Sequence, residues 1–517
     1  MPQISNRRGP KAVFYIPVLI VLIISACSFP FRSRNSETGV VRVQIGGEPG
    51  TLDPARIMDQ YALGILRNVV EGLFKLDSQG KLQKGLVSEY HVSEDGLTYR
   101  FKLRSDAKWS DGAPVTIDDF VFGLKHLLAP ETASQDAELF FAIRGARDYF
   151  MGKKPHTELG VTRENDELVI RLERRDPTLP FVLSLPSAAP LRKDTFEAAG
   201  NKWNHRLPVT GPYQISVYKP ASEIRLEPNP HYPGPPRKPI LYRILQEEMT
   251  ALNLFEAGRL DIISTVTPTE AERLRQKGLI KTAPSTTVFY LSFNVSRPPF
   301  NDLNWRRAVA ASIDRRGLGV ILQGLYEPTP TFIPKTLEGF EELEPLSAEK
   351  EIMKIRSLEK KPKIRLAYGA SAASKLIVEK VQSDLKSALG INLELEPMEL
   401  KTLLHRLQSD PPEIYYLGKS ALFDDAIAHL EVFNSASGPN FSRYKSKEFQ
   451  DLLMKIKTTP LGPDRTALVK QANRLLVERD TVVVPLALRL QIFGVSKSIK
   501  NFRVSPYQVI DLAALAK

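Results

Sequence analysis

The stretch from Glu94 to Phe120, EDGLTYRFKLRSDAKWSDGAPVTIDDF, constrains the fold more than any other part of the chain. Leu97 to Leu103 alternates apolar with polar or charged residues at period two, the pattern of a half-buried strand. Ser110-Asp111-Gly112 supplies turn chemistry, because Asp bonds its own backbone and Gly accepts positive φ. Thr116 followed three residues later by Asp119 predicts a capping box, and Asp118 and Asp119 suit the positive end of a helix dipole. Ile117, Phe120, Val121, Leu124, Leu127 and Leu128 lay one apolar stripe along that helix until Pro130 stops it. Strand, turn and helix follow from physics alone, with Trp109 expected as a core plug.

A chain of 517 residues exceeds the roughly 250–300 residues at which single cores stop growing, so two or more domains are expected. No apolar run after residue 30 reaches the length of about 20 residues that spans a bilayer. The formal charge of +12 falls to +9 without residues 1–26, which hold Arg7, Arg8 and Lys11 and no acid. The basic residues are dispersed among 59 acids with no arm or run, which argues against a nucleic-acid partner. At the N-terminus, Arg7, Arg8 and Lys11 precede an apolar segment from Ala12 to Ile24, then small Ser25 and Ala26, then Cys27. That is a secretory leader layout, with residues 1–26 removed and 27–39 left as a tether. Cys27 is the only cysteine, so no disulfide can form within the chain.

Enzyme signatures are absent from the sequence. The seven histidines are never closer than 24 residues, His405 to His429, and no His-Glu-x-x-His or cysteine pair signals a metal. No Gly-x-Ser-x-Gly elbow occurs. Gly418-Lys419-Ser420 mimics a P-loop end, but residue 413 is Glu where Gly is required. The glycines Gly46, Gly47 and Gly50 fail the dinucleotide spacing. Neither an enzyme nor a cofactor is expected.

Ile24-Ser25-Ala26-Cys27 resembles a bacterial lipobox, which implies lipidation of Cys27 and a membrane anchor facing the periplasm. Ser28 after the cysteine favours, by the same resemblance, the outer membrane of a two-membrane host. The Glu94–Phe120 stretch resembles a signature of the family 5 extracellular solute-binding proteins of ABC importers. So do Glu48-Pro49-Gly50-Thr51-Leu52-Asp53-Pro54, Thr210-Gly211-Pro212-Tyr213-Gln214, Phe293-Asn294-Val295 and Asp314-Arg315. Gly152-Lys153-Lys154-Pro155 resembles the oligopeptide-binding branch. Most of these motifs are turn-formers and core residues, so they identify an architecture rather than a ligand.

The resemblance implies an α/β, two-lobed, three-domain fold of the periplasmic-binding-protein type (type II, cluster C-like), with mixed sheets. Residues 40–70, 195–288 and 490–517 would form the main domain of lobe 1, residues 71–194 its accessory domain, and residues 289–489 lobe 2. Val288–Val295 and Val482–Leu488 read as strands and would carry the chain between lobes as a hinge. The implied partners are a peptide or peptide-like solute and an inner-membrane ABC permease, with the protein a monomer. The alternative is a lipid-anchored protein of the same fold, its pocket diverged, acting in envelope sensing or partner binding.

Peptide binders of this kind pair an extended ligand with protein strands and hold its α-amine with an acid. The family pattern Gly-Trp-x-Ala-Asp-Tyr is replaced here by Gly418-Lys419-Ser420-Ala421-Leu422-Phe423. Lys419 takes the place of Trp, and Leu422 the place of the amine-binding Asp. A buried ammonium without its carboxylate costs several kcal/mol. Either Asp424 or Asp425 supplies the charge, or the ligand is N-blocked, anionic or not a peptide, or the site has decayed. By the same alignment Met58, Gln60, Phe140 and Tyr416 line the cleft or pack in the core, Ser420 joins Lys419 at the wall, and Asn440 braces a loop.

Overall fold

The structure is a computed structural model that describes residues 39–516 apart from 265, 267, 323 and 436–439. The predicted leader, Cys27 and the tether up to residue 38 lie outside the described residues.

The opening stretch folds as its sequence dictates. Thr98–Leu103 is a strand, and Thr116 and Asp119 close a capping box on the helix Ile117–Leu127. Trp109 is buried, and its indole Nε1 donates to Asp119 Oδ2 at 3.3 Å, so the plug also braces the cap. Gly112, at φ +89°, makes the turn between them. The strand lies in a four-stranded antiparallel sheet ordered Val87–Val92, Thr98–Leu103, Glu167–Arg171, Val161–Glu164. Phe120, Leu124 and Leu127 of the helix are fully buried against Phe101, Leu168 and Ile170 of that sheet.

An eleven-stranded sheet joins the rest. In one lobe Val41–Ile45 runs parallel to Ile240–Ile244, and its neighbour Ile262 is likewise parallel. Ala62, Ile65, Leu66 and Val69 of the helix Gln60–Val69 pack on this half with Tyr213 and Ile224. In the other lobe Ile364–Gly369 lies between the parallel strands Leu393–Met398 and Ile414–Lys419. Two long antiparallel strands, Ile280–Phe293 and Val483–Val495, belong to both halves. Val288–Phe293 pairs with Ile414–Lys419, while Gly494 and Val495 pair with Ile262–Ile263. Between those attachments these two strands carry the chain from one half to the other, and the molecule is a two-lobed α/β protein.

The crossing is irregular. The ladder runs from Ile280↔Gly494 to Pro284↔Leu490, breaks, and resumes at Val288↔Leu488. A second shift separates Phe289↔Ala487 from Tyr290↔Pro485. Pro485 has no N–H to donate, and a shifted register is where a central strand tolerates that loss. Beyond the break both faces are covered: Val288 and Tyr290 join one core with Phe332 and Phe449, Leu291 and Phe293 another with Phe300 and Val381. Both strands outrun the segments that apolar pattern predicts, because Ile280–Pro284 is held in the ladder by backbone pairing and the polar residues 285–287 bridge the break.

Candidate functional site

A cavity of about 620 Å³ opens beside the crossing strands. Gln44, Gln60 and Tyr61 line it from one lobe, Ile321, Tyr326 and Leu376 from the other, and Arg489 and Gln491 from a shared strand. The wall is largely apolar, and Arg489 and Glu248 are its charged residues. Arg489 is exposed and pairs across the ladder with Tyr326. Burial pushes the Tyr326 hydroxyl up, against the pull of Arg489. Gln491 is 6 % exposed and donates through Nε2 to Ser505 O at 2.9 Å and Pro284 O at 3.2 Å. Its Oε1 is buried with no hydrogen-bond partner.

Of the sequence-predicted site residues, Gln60 reaches this wall. It opens its helix beneath the Asp59 cap, whose carboxylate accepts from Tyr61 N at 2.9 Å and Ala62 N at 2.8 Å. Met58 is 68 % exposed and outside the wall. Phe140 is not a cleft residue: the 3-10 turn Ala137–Phe140 buries it completely in the core of the four-stranded sheet. Tyr416 is also core, stacked on Phe289 with ring centres 5.6 Å apart.

Residues 419–425 form a second centre. Lys419 ends the strand Ile414–Lys419, and burial pulls its ammonium down, with Glu431 opposing. Ser420 Oγ shares a hydrogen bond of 2.8 Å with Thr287 Oγ1, and Ala421 is bound in both directions to Thr286 Oγ1, at 2.9 and 3.1 Å. His429 Nε2 donates to Thr286 O at 3.1 Å, and burial drives that imidazole down to about 3, so it stays neutral. The Leu422 side chain is exposed, while its carbonyl accepts from Arg67 Nη2 at 3.0 Å. Phe423 stacks on Phe181 at 5.6 Å and is part of the four-stranded sheet's core.

Neither neighbouring acid is free to take an amine. Asp424 pairs with Lys81 Nζ at 2.5 Å and accepts from Glu338 N at 2.9 Å. Asp425 is fully buried, and both of its oxygens accept from Arg465 Nη2, at 2.9 and 2.8 Å. Asn440 Nδ2 donates to Tyr444 O at 2.9 Å, bracing its loop. The wall residues that sequence reasoning missed are Arg489 and Gln491. Their signal was present: two polar side chains, two apart, in an otherwise apolar strand that ends at Val495. No cluster of metal-ligating side chains occurs among the described residues.

Known proteins resemble this arrangement over nearly the whole chain. The model of "Bacterial extracellular solute-binding proteins, family 5 Middle" matches residues 81–441. The oligopeptide-binding protein OppA of Bacillus subtilis is 28% identical over 507 residues, covering 90% of this chain and 92% of that protein. The probable deoxycholate-binding periplasmic protein YgiS of Escherichia coli is 27% identical over 484 residues, covering 89% and 90%. The unliganded open form of the periplasmic murein tripeptide binding protein MppA superposes with a TM-score of 0.83 at 24% identity, covering 92% of this chain and 97% of that one. The relatives are substrate-binding proteins, not enzymes. With more than half of its length matched by one family model, the chain belongs to family 5 of the bacterial extracellular solute-binding proteins.

Proposed function

We propose that the protein captures a peptide or peptide-like solute between its lobes and delivers it to an ABC permease, while Cys27 holds it to an envelope membrane. The observation that carries this reading is the 620 Å³ cavity at a crossing made of two strands. Ligand sites favour such interfaces, and a few backbone positions there absorb the rotation that encloses a solute. Relatives named for oligopeptides support the peptide class. The domains would be those that the resemblance implies, with the hinge at the register break.

Mass spectrometry of material that co-purifies with the protein should identify the solute. Adding that solute to stripped protein is expected to reduce the radius of gyration measured by small-angle scattering. A solute that binds yet leaves the scattering curve unchanged would count against a closing cleft. Cys27→Ser, which removes the chain's one thiol, is expected to move the protein from membranes to the soluble fraction. Retention of that variant on membranes through a high-salt wash would remove the lipid anchor from the reading.

A further inference from the structure

The geometry points to an N-blocked apolar acid as the solute: a carboxylate with an amide N–H beside it, an apolar body and no ammonium at the far end. This rests on the cavity being the solute site, as proposed above. Arg489 and Gln491, two apart on one strand, present their side chains to the same face. Among the described residues no carboxylate pairs with Arg489, whose planar fork matches a carboxylate in two parallel hydrogen bonds. Its own backbone is fixed, since Ser285 Oγ donates to Arg489 O at 2.9 Å and Leu490 N donates to Leu325 O at 3.0 Å.

Gln491 narrows the chemistry. Both of its hydrogen bonds leave through Nε2, so the buried Oε1 remains an acceptor in need of a donor. Buried polar atoms without a partner are costly, and a side-chain shift that brings this oxygen to the cavity surface would let a solute N–H beside the carboxylate satisfy it. That pairing of groups is the C-terminal residue of a peptide, or an amino acid carrying an acyl group. A fatty acid offers the carboxylate but not the donor.

The remainder of the wall fits an apolar body. Tyr326, Ile321 and Leu376 face the cavity, and Leu376 and Ile321 are 48 % and 36 % exposed. Covering such side chains is favourable in proportion to the apolar area removed from water. The wall's one acid is exposed, and residues 419–425, which lie outside the wall but hold the family's amine-binding position, supply no free carboxylate. Asp424 and Asp425 are already paired, Leu422 has replaced the family's aspartate, and Glu248 stands exposed at the first position of the helix Glu248–Glu256. Lys419, half-buried with no ion pair among the described residues, adds a cation to the stretch in which the family pattern carries the amine-binding acid.

Calorimetry on the mature protein tests this with acetyl-Leu-Leu-Leu as the free acid, its C-terminal amide, the free-amine peptide Leu-Leu-Leu, and N-dodecanoyl-leucine. The acetylated acid should bind about 10- to 100-fold more tightly than its amide, the worth of a charge-assisted hydrogen bond. It should also outbind the free-amine peptide. Preference for N-dodecanoyl-leucine over the acetylated acid would assign a long acyl chain to the wall; the reverse would assign a blocked peptide. Arg489→Gln should erase the difference between acid and amide, and Arg489→Lys should restore part of it. The comparison of acid with amide on unaltered protein needs no variant, so a misfolded variant leaves the test intact. Equal affinity for acid and amide, or tighter binding of the free-amine peptide, overturns the inference and leaves the cavity a solute site. Leu376→Glu, at an exposed position, should weaken the acid at least tenfold; binding indifferent to it would place the solute elsewhere and overturn the reading of the cavity itself.

Discussion

Arg465→Met is expected to destabilise the protein by about 3–5 kcal/mol, seen as a fall in the urea midpoint. Arg465 and Asp425 have side chains 1% and 0% exposed, so neither charge has water to fall back on. Arg465 Nη2 holds both carboxylate oxygens, and Arg465 Nε donates to Ile456 O at 3.0 Å. Methionine matches the stem and supplies none of these donors, leaving a buried carboxylate without a countercharge and with the Ile427 N–H, at 2.8 Å, as its donor. Burial already pushes the Asp425 carboxyl up, with Arg465 pulling the other way. Without Arg465 the folded-state pKa rises further above the unfolded value. For an acid shifted in that direction the penalty exists above the unfolded pKa and fades as pH falls and the group protonates. The gap between variant and parent should therefore shrink in acid. Arg465→Met with Asp425→Leu should recover most of the loss, because an apolar pair replaces an orphaned ion. An unchanged urea midpoint in the single variant would mean that the pair is not desolvated as described.

Trp109→Ala is expected to cost about 3–5 kcal/mol, the range for deleting a buried aromatic. The indole fills the core of the four-stranded sheet, and its Nε1 donates to the carboxylate that caps the helix Ile117–Leu127. The same carboxylate accepts from Thr116 N at 2.8 Å, so losing the plug loosens the cap as well. Ser110, next in sequence, donates through N to Val209 O at 2.9 Å and accepts from Val209 N at 3.1 Å through its hydroxyl. The turn therefore ties this sheet to the lobe beside it, and the loss should spread into that contact. A shift of the urea midpoint equivalent to under 1 kcal/mol would show that the cavity collapses and the plug is dispensable.

What could be read from sequence was what neighbours in sequence decide. The Thr116–Asp119 box, the Gly112 turn and the stripe of Phe120, Leu124 and Leu127 all depend on residues within a dozen positions. The site did not obey that limit. Asp424 and Asp425 looked free because their partners, Lys81 and Arg465, stand 343 and 40 residues away. Phe140 looked available because a 3-10 turn that buries its last residue has no sequence period to reveal it. Ile280–Pro284 was missed as strand because its pairing with Leu490–Gly494 is supplied by a distant segment, overriding weak local preference. Arg489 was visible as an oddity in an apolar strand, but only the ladder with Tyr326 shows which space it faces.

The register break between Pro284 and Val288 bears on how much the molecule spends to move. Ser285 Oγ accepts from Thr287 N at 3.0 Å while donating to Arg489 O, and Ser285 O and Thr286 O accept from Thr336 Oγ1 and His429 Nε2, so side chains rather than ladder bonds serve the backbone groups freed by the break. Twisting there asks no ladder bond on either side to open. If the lobes turn about this break, the change in backbone hydrogen bonding is then small, and a weak bias would tilt it. A carboxylate seated on Arg489 would press on the residue that faces the break, so occupancy and torsion would be read at a single position of the chain. Amide exchange should report the same asymmetry, faster at residues 285 and 286 than in the flanking ladders, whichever arrangement prevails.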